Sequence, residues 1–316
     1  MCALSTLNTR NCSFDRDFIT GNITYRTGGL DVKFISEHLP DSLDGFIYSF
    51  DSNTMKTLDI LTVYLTRDKN RNNLRDDESP VVLIPLAEYL ALCGKKDTKP
   101  NRDRARKALG EAFEVLFAVR LAYKSKGKAA RNRVDISGDT RICVDKGCIN
   151  NNIIYFRFSP KMARYLLDSF ITMFDTRIFA LDERNPNAYA LARKLLTHYG
   201  MDSNIKNRTS GKIKLKTALM SCPMIPLVSE VKETDRHIYR RTVAPIIDAL
   251  DRIQEKTGLR YSLMRDGISI KANEIKADDI DSVYIVFYFE GYPDQLERIR
   301  EKEAARRKSR QKKTAS

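Results

Sequence analysis

Two successive rounds of helix-period pattern, each closed by strand-period segments, predict an α+β chain of two tandem winged-helix domains. Each domain is expected to hold three helices and a β-hairpin wing, with a basic C-terminal tail beyond the second. Length supports two domains, because 316 residues exceed what a single core usually fills. Charge supports a polyanionic partner, since 55 Lys and Arg against 41 Asp and Glu leave a net +14. The expected boundaries are a flexible N-terminal arm at 1–30, the first winged helix at 31–159, a connecting helix and linker at 160–184, the second winged helix at 185–292, and the tail at 293–316.

In the first round, residues 51–54 (Asp, Ser, Asn, Thr) offer capping side chains, and Met55, Leu58, Leu61 and Leu65 follow at helical spacing. Val81-Val82-Leu83-Ile84 suits a strand, after which Pro85 opens a short helix that Gly94 closes. Asn101 to Lys124 reads as a long third helix, with Ala105, Leu109, Ala112, Phe113, Leu116 and Phe117 on one face. Alternation then marks strands near Val134 to Ile136, Ile142 to Val144 and Ile153 to Phe158.

The second round follows a connecting helix over 160–174. A helix is expected from Ala188 to Tyr199, a short one from Ile213 to Cys222, and a long one from Asp235 to Lys256 with Tyr239, Val243, Ile246, Leu250 and Ile253 inward. Pro245 requires either that the regular helix begin near Arg241 or that a longer helix kink. Gly258 ends it, Asp266-Gly267 is a hairpin turn, and the aromatic run Tyr284 to Phe289 reads as a buried strand rather than a base-stacking platform.

No apolar run reaches the roughly 18–20 residues of a membrane span, and the first residues lack the pattern of a signal peptide, so a cytoplasmic chain without a membrane partner is expected. Six scattered cysteines read as reduced thiols. Cys143 and Cys148 have no second Cys/His pair to complete a zinc site, and no metal or other cofactor is expected.

In a helix-turn-helix module the N-terminal residues of the third helix approach the base edges. In the second domain these are Arg236, His237, Arg240 and Arg241, and arginine can pair with guanine through two hydrogen bonds. Lys212, Lys214 and Lys216 crowd the preceding short helix, together with Lys206 and Arg208, where contacts to phosphate are expected. The first domain offers Arg102, Arg104, Arg106 and Lys107 on its third helix. Its expected wing carries Lys126, Lys128 and Arg131, with Lys124 and Arg133 beside them. The tail adds a basic run from Arg306 to Lys313.

Enzymatic alternatives find less support. A rolling-circle nickase needs two histidines one residue apart, whereas the histidines are His38, His198 and His237. His237-Ile238-Tyr239-Arg240 fits the His-x-x-Arg element of a tyrosine recombinase, with Tyr284, Tyr288 or Tyr292 as nucleophile, but no further motif accompanies it. No Gly-x-x-x-x-Gly-Lys-Ser/Thr loop is present, and a non-enzymatic chain is expected.

Asn185-Pro186-Asn187-Ala188-Tyr189, the segment His198-Tyr199-Gly200-Met201-Asp202-Ser203-Asn204, and Leu215-Lys216-Thr217-Ala218-Leu219 resemble the replication initiator proteins of bacterial plasmids. The likeness runs from about Tyr155 to Leu259, whereas the N-terminal half matches in element order alone. It implies an initiator that binds repeated double-stranded sites at an origin, promotes duplex opening and recruits host replication proteins. In that family one domain often doubles as a homodimer interface, which makes Arg104 and Arg106 weaker candidates than Arg240 and Arg241. A winged-helix transcription regulator at a palindromic operator remains the alternative.

Overall fold

The computed structural model describes residues 13–16, 23–27, 30–34, 52–67, 79–123, 139–168, 175–182, 185–202, 211–226, 228, 231 and 235–290. The chain divides into two compact units, one of residues 1–171, 179–190 and 220–225, the other of 172–178, 191–219 and 226–316.

The first unit opens with β1 (Ser13–Arg16), β2 (Ile23–Thr27) and β3 (Leu30–Phe34), three antiparallel strands lying largely where an arm was expected. Helix α1 (Ser52–Arg67) is buried almost all round. Even its polar residues are covered: Lys56 donates from Nζ to the Leu181 carbonyl at 3.2 Å, and the Tyr189 hydroxyl donates to Asp59 at 2.7 Å. Strand β4 (Val81–Pro85) then leads directly into α2 (Leu86–Leu92), and Gly94 leaves that helix with φ of 65°.

Helix α3 (Lys99–Ala118) buries Ala105, Leu109, Ala112, Phe113 and Leu116. It stops at Ala118, short of the Lys124 expected from periodicity, because Val119 already has extended backbone (φ −73°, ψ 124°). Val119 begins β5 (Val119–Tyr123), which pairs with β3. Pairing with a strand some ninety residues earlier overrides a local pattern that runs on as helix. β6 (Asp139–Arg141) completes a five-stranded sheet of order β1-β2-β3-β5-β6.

The wing hairpin of this unit is β7 (Cys143–Ile149) and β8 (Ile153–Phe158). Their turn places Asn150 (φ 48°) and Asn151 (φ 56°) in the left-handed region that asparagine tolerates. The basic segment expected to be the wing instead joins β5 to β6, and its residues 124–138 lie outside the described residues. After the hairpin comes α4 (Pro160–Asp168), while residues 169–174 of the expected connecting helix lie outside the described residues.

Helix α5 (Pro186–Asp202) contains the division between the units. In the second unit follow β9 (Gly211–Lys214), α6 (Leu215–Met220) and α7 (Asp235–Ile238). A π-helical turn at Tyr239–Val243 joins α7 to α8 (Ala244–Thr257). Thus Pro245 follows a π turn within one continuous helical run, and the wider turn accommodates a ring that has no amide to donate. The inward residue of this approach is Ile238 (3% exposed) rather than the expected Tyr239, which is half-buried.

Gly258 (φ 71°) caps α8, and its amide donates to the Gln254 carbonyl at 3.1 Å. β10 (Leu259–Arg265) turns at Asp266-Gly267 into β11 (Ile268–Ile270), and β12 (Val283–Phe289) returns through the sheet. β12 turns Val283, Ile285, Phe287 and Phe289 into the core, the buried strand its sequence suggested, and leaves Tyr288 exposed.

Both units thus repeat one path of helix, strand, short helix and long helix, followed by strands of which the last pairs with the first; β5 and β6 are inserted before the hairpin in the first unit, and β11 lies between β10 and β12 in the second. The sheet orders are β4-β8-β7 in the first unit and β9-β12-β10 with β11 appended in the second. That path and strand order define a winged helix.

Candidate nucleic-acid interface

The third helix of each unit changes charge along its length. In α3, Arg102, Arg104, Arg106 and Lys107 occupy the N-terminal half, and Glu111 and Glu114 face solvent beyond them. In the second unit His237, Arg240 and Arg241 are exposed at the start, whereas Asp248, Asp251 and Glu255 are exposed further along. These carboxylates are engaged: Arg252 pairs with Asp248 at 2.8 Å, Lys256 with Glu255 at 2.9 Å, and the Tyr261 hydroxyl donates to Asp251 at 2.7 Å. Burial and then the Asp251 hydrogen bond push the Tyr261 hydroxyl well above its ordinary value, so it stays a donor that ties α8 to β10. Among the described residues, no ion pair engages Arg240 or Arg241. Each long helix therefore concentrates cations at the end that a winged helix directs into a groove, and carries carboxylates, several of them paired with cations, further along.

The first-unit arginines divide by role. Arg102 makes a two-pronged bond to Asp97, from Nε at 2.5 Å and Nη2 at 2.7 Å, and reaches the Asn152 side chain at 3.3 Å. That hydrogen bond holds the exposed Asp97 carboxyl below the usual carboxylate range and raises Arg102 above its own. Arg106 donates to the Asn151 carbonyl and to Asp103. Both side chains therefore brace the wing turn against the start of α3. Arg104 and Lys107 are exposed, with no ion pair among the described residues.

On the second unit, β9 alternates, burying Gly211 and Ile213 and exposing Lys212 and Lys214 on an edge strand. Lys212 Nζ lies 4.0 Å from the Tyr284 ring centroid, and Lys216 pairs with Asp281 at 3.0 Å. Arg236 belongs to α7. Lys126, Lys128 and Arg131, with Lys124, Lys206, Arg208 and Arg133, lie outside the described residues, as does the expected tail.

Two exposed cations of the second wing, Lys271 and Lys276, are not among the sequence-predicted contact residues, although Ser269 to Lys271 is expected as a strand of that wing. Their spacing after the Asp266-Gly267 turn was the available signal. The wing is held by Arg265, which pairs with Asp279 at 2.7 Å, while backbone bonding at Lys276 keeps the Asp279 carboxyl below its ordinary range.

The four described cysteines, Cys93, Cys143, Cys148 and Cys222, are unbridged. Among the described residues no group of three His, Cys, Asp or Glu side chains could hold a metal, and no helix is long and apolar enough to cross a membrane.

The chain is thus a protein of two α+β units, each with winged-helix topology and each with a third helix that is basic at its start. No family model matches it, and no curated protein does. Solved structures similar to it include the crystal structure of RctB domains 2–3, at 13% identity over 88% of this chain and 91% of that one, with a TM-score of 0.43. A selenomethionine derivative of RctB domains 2 and 3 is similar at 11% identity over 92% of this chain and 100% of that one, with a TM-score of 0.44.

Proposed function

We propose that this chain is a non-enzymatic replication initiator of a plasmid or similar element, binding repeated double-stranded sites at an origin. The observation that carries DNA binding is the charge distribution of the third helices: cations gathered at the N-terminal end, and carboxylates, part of them paired with cations, further along. The net charge of +14 supplies the long-range attraction. In the second unit Arg236, His237, Arg240 and Arg241 read bases, while Lys212, Lys214, Lys216, Lys271 and Lys276 hold phosphates. In the first unit Arg104 and Lys107 hold phosphate, and Arg102 and Arg106 shape the wing. Lys126, Lys128 and Arg131 add charge from the β5–β6 connection. Initiation itself, with duplex opening, recruitment of host replication proteins and a homodimeric form, rests on the likeness of residues 185–189, 198–204 and 215–219 to plasmid initiators.

The test is a titration of the full chain on DNA flanking its own gene, at two salt concentrations, beside an Arg240→Ala, Arg241→Ala variant. Tight binding to direct repeats next to an AT-rich stretch, lost in the variant, is expected. Binding to a lone palindromic operator would favour a transcription regulator. Binding that is merely salt-sensitive and indifferent to the variant would overturn recognition through the second unit.

A further inference from the structure

The approach to α8 contains one more residue per turn than an α-helix allows. The Ala244 amide donates to the Tyr239 carbonyl, five residues back, and Tyr239–Val243 form a π turn. Pro245 accounts for it: the ring has no amide to donate to the Arg241 carbonyl and would clash with it, so the chain widens by one residue just ahead. The turn is fixed from the core side as well. Thr242 and Val243 are fully buried, and Thr242 donates from its hydroxyl to the Pro226 carbonyl at 3.1 Å.

The consequence is rotational. Counting back from buried Ile246 at about 100° per residue, an unbroken α-helix would turn Tyr239 to the core and Ile238 to the flank. The structure has the reverse, with Ile238 at 3% exposure and Tyr239 half-buried. The extra residue rotates His237 and Ile238, which precede the turn, relative to α8, and alters the angle between them and Arg240 and Arg241, which lie within the turn; His237, Arg240 and Arg241 are all exposed.

We infer that Pro245 is a positioning residue for sequence discrimination. Without touching DNA, it sets through the π turn the angle at which Arg240 and His237 meet the groove. This rests on base reading by the second unit, and the experiment separates the two ideas. A randomised duplex pool is selected with the full-length wild-type chain. Affinity is then measured for the enriched duplex and for a scrambled duplex of equal length, using wild type, Pro245→Ala, and Arg240→Ala with Arg241→Ala.

Pro245→Ala is expected to lower the preference for the enriched duplex by about tenfold or more, at unchanged affinity for the scrambled duplex and with a thermal midpoint no lower than wild type. Should Pro245→Ala alone fold poorly, adding Ile238→Tyr and Tyr239→Ile returns an aliphatic residue to the core in α-helical register, and the same loss of preference is expected. Full preference retained in either folded variant, while the double arginine variant loses it, overturns the inference and leaves base reading intact. Preference retained in the double arginine variant overturns base reading by this helix and the inference with it.

Discussion

The Arg106 guanidinium donates to the Asn151 backbone carbonyl from Nε at 3.1 Å and from Nη2 at 3.0 Å, so the third helix of the first unit closes over its own wing turn. Asn151 has a positive φ of 56°, and a backbone carbonyl at a turn needs a partner of this kind. Arg106→Ala is expected to destabilise the first unit by about 1 kcal/mol, the usual net worth of a partly exposed charge-assisted pair. Arg104→Ala should stay within about 0.5 kcal/mol of wild type, because its side chain is exposed. Chemical denaturation measures both. An equal cost for the two variants would show that the bracing bonds do not hold the turn in solution.

The two units share a topology, yet their third helices were unequally legible from sequence. Periodicity located α1, α3, α5 and α8, because each carries apolar residues at helical spacing, and Gly94 and Gly258 marked ends where the backbone turns left-handed. What periodicity could not foresee was pairing at a distance. β5 continues the apolar run of α3 and becomes a strand when it meets β3. Periodicity also assumes a constant turn, so the π turn ahead of Pro245 exchanged Ile238 for Tyr239 as the inward residue. The charged candidates show a third limit: composition identifies cations, but only folded geometry separates Arg106, spent on a carbonyl, from Arg104, left in solvent.

Lys212 and Lys214 stand on an edge strand, on the exposed side of the alternation that buries Ile213. A flexible ammonium there contributes charge rather than geometry. Replacing either with Ala should weaken binding to matched and scrambled duplexes alike, and reduce the slope of log affinity against log salt by about 0.9 per lysine. Arg241→Ala should instead weaken the matched duplex more than the scrambled one, by about 1–3 kcal/mol. Titrations at several salt concentrations separate the two behaviours. A sequence-selective loss on Lys214→Ala would move that residue from phosphate to base recognition.

Gly211 pairs with Phe287 across the sheet, and a methyl group placed on it would stand 2.6 Å from the ring's Cζ and 3.0 Å from both Cε atoms. The ring has nowhere to go, for Phe287 is 1% exposed and packs edge-on against Phe289 at 6.1 Å. Gly211→Ala should therefore cost about 1–3 kcal/mol, the usual range for overpacking. Gly110 makes the opposite case: it lies exposed within α3, a methyl group added to it would meet nothing within 4 Å, and Gly110→Ala should stabilise by about 0.5–1 kcal/mol. Urea denaturation midpoints of the two variants are expected to move in opposite directions. A shared direction would mean that the space around one of these glycines differs in solution.

Cys143 and Cys148 stand on the same strand but differ in exposure. Cys143 is fully buried at the start of β7, and desolvation pushes its thiol up to about 12, whereas Cys148 is exposed. The thiolate is the nucleophile, so at pH 8 iodoacetamide should modify Cys148 readily and leave Cys143 untouched until denaturant is added, as peptide mass spectrometry would show. The same shift sets a pH dependence. Between about 8.5, where an unfolded thiol ionises, and about 12, the folded state binds more protons than the unfolded state, so stability should fall as pH rises through that window. Cys143→Ala removes the ionisation and should flatten the decline, although it also leaves a small cavity that lowers stability at every pH. Comparing the slope of stability between pH 8 and 10 in the two proteins isolates the thiol's share. Equal slopes, or early alkylation of Cys143, would mean that water reaches the start of β7.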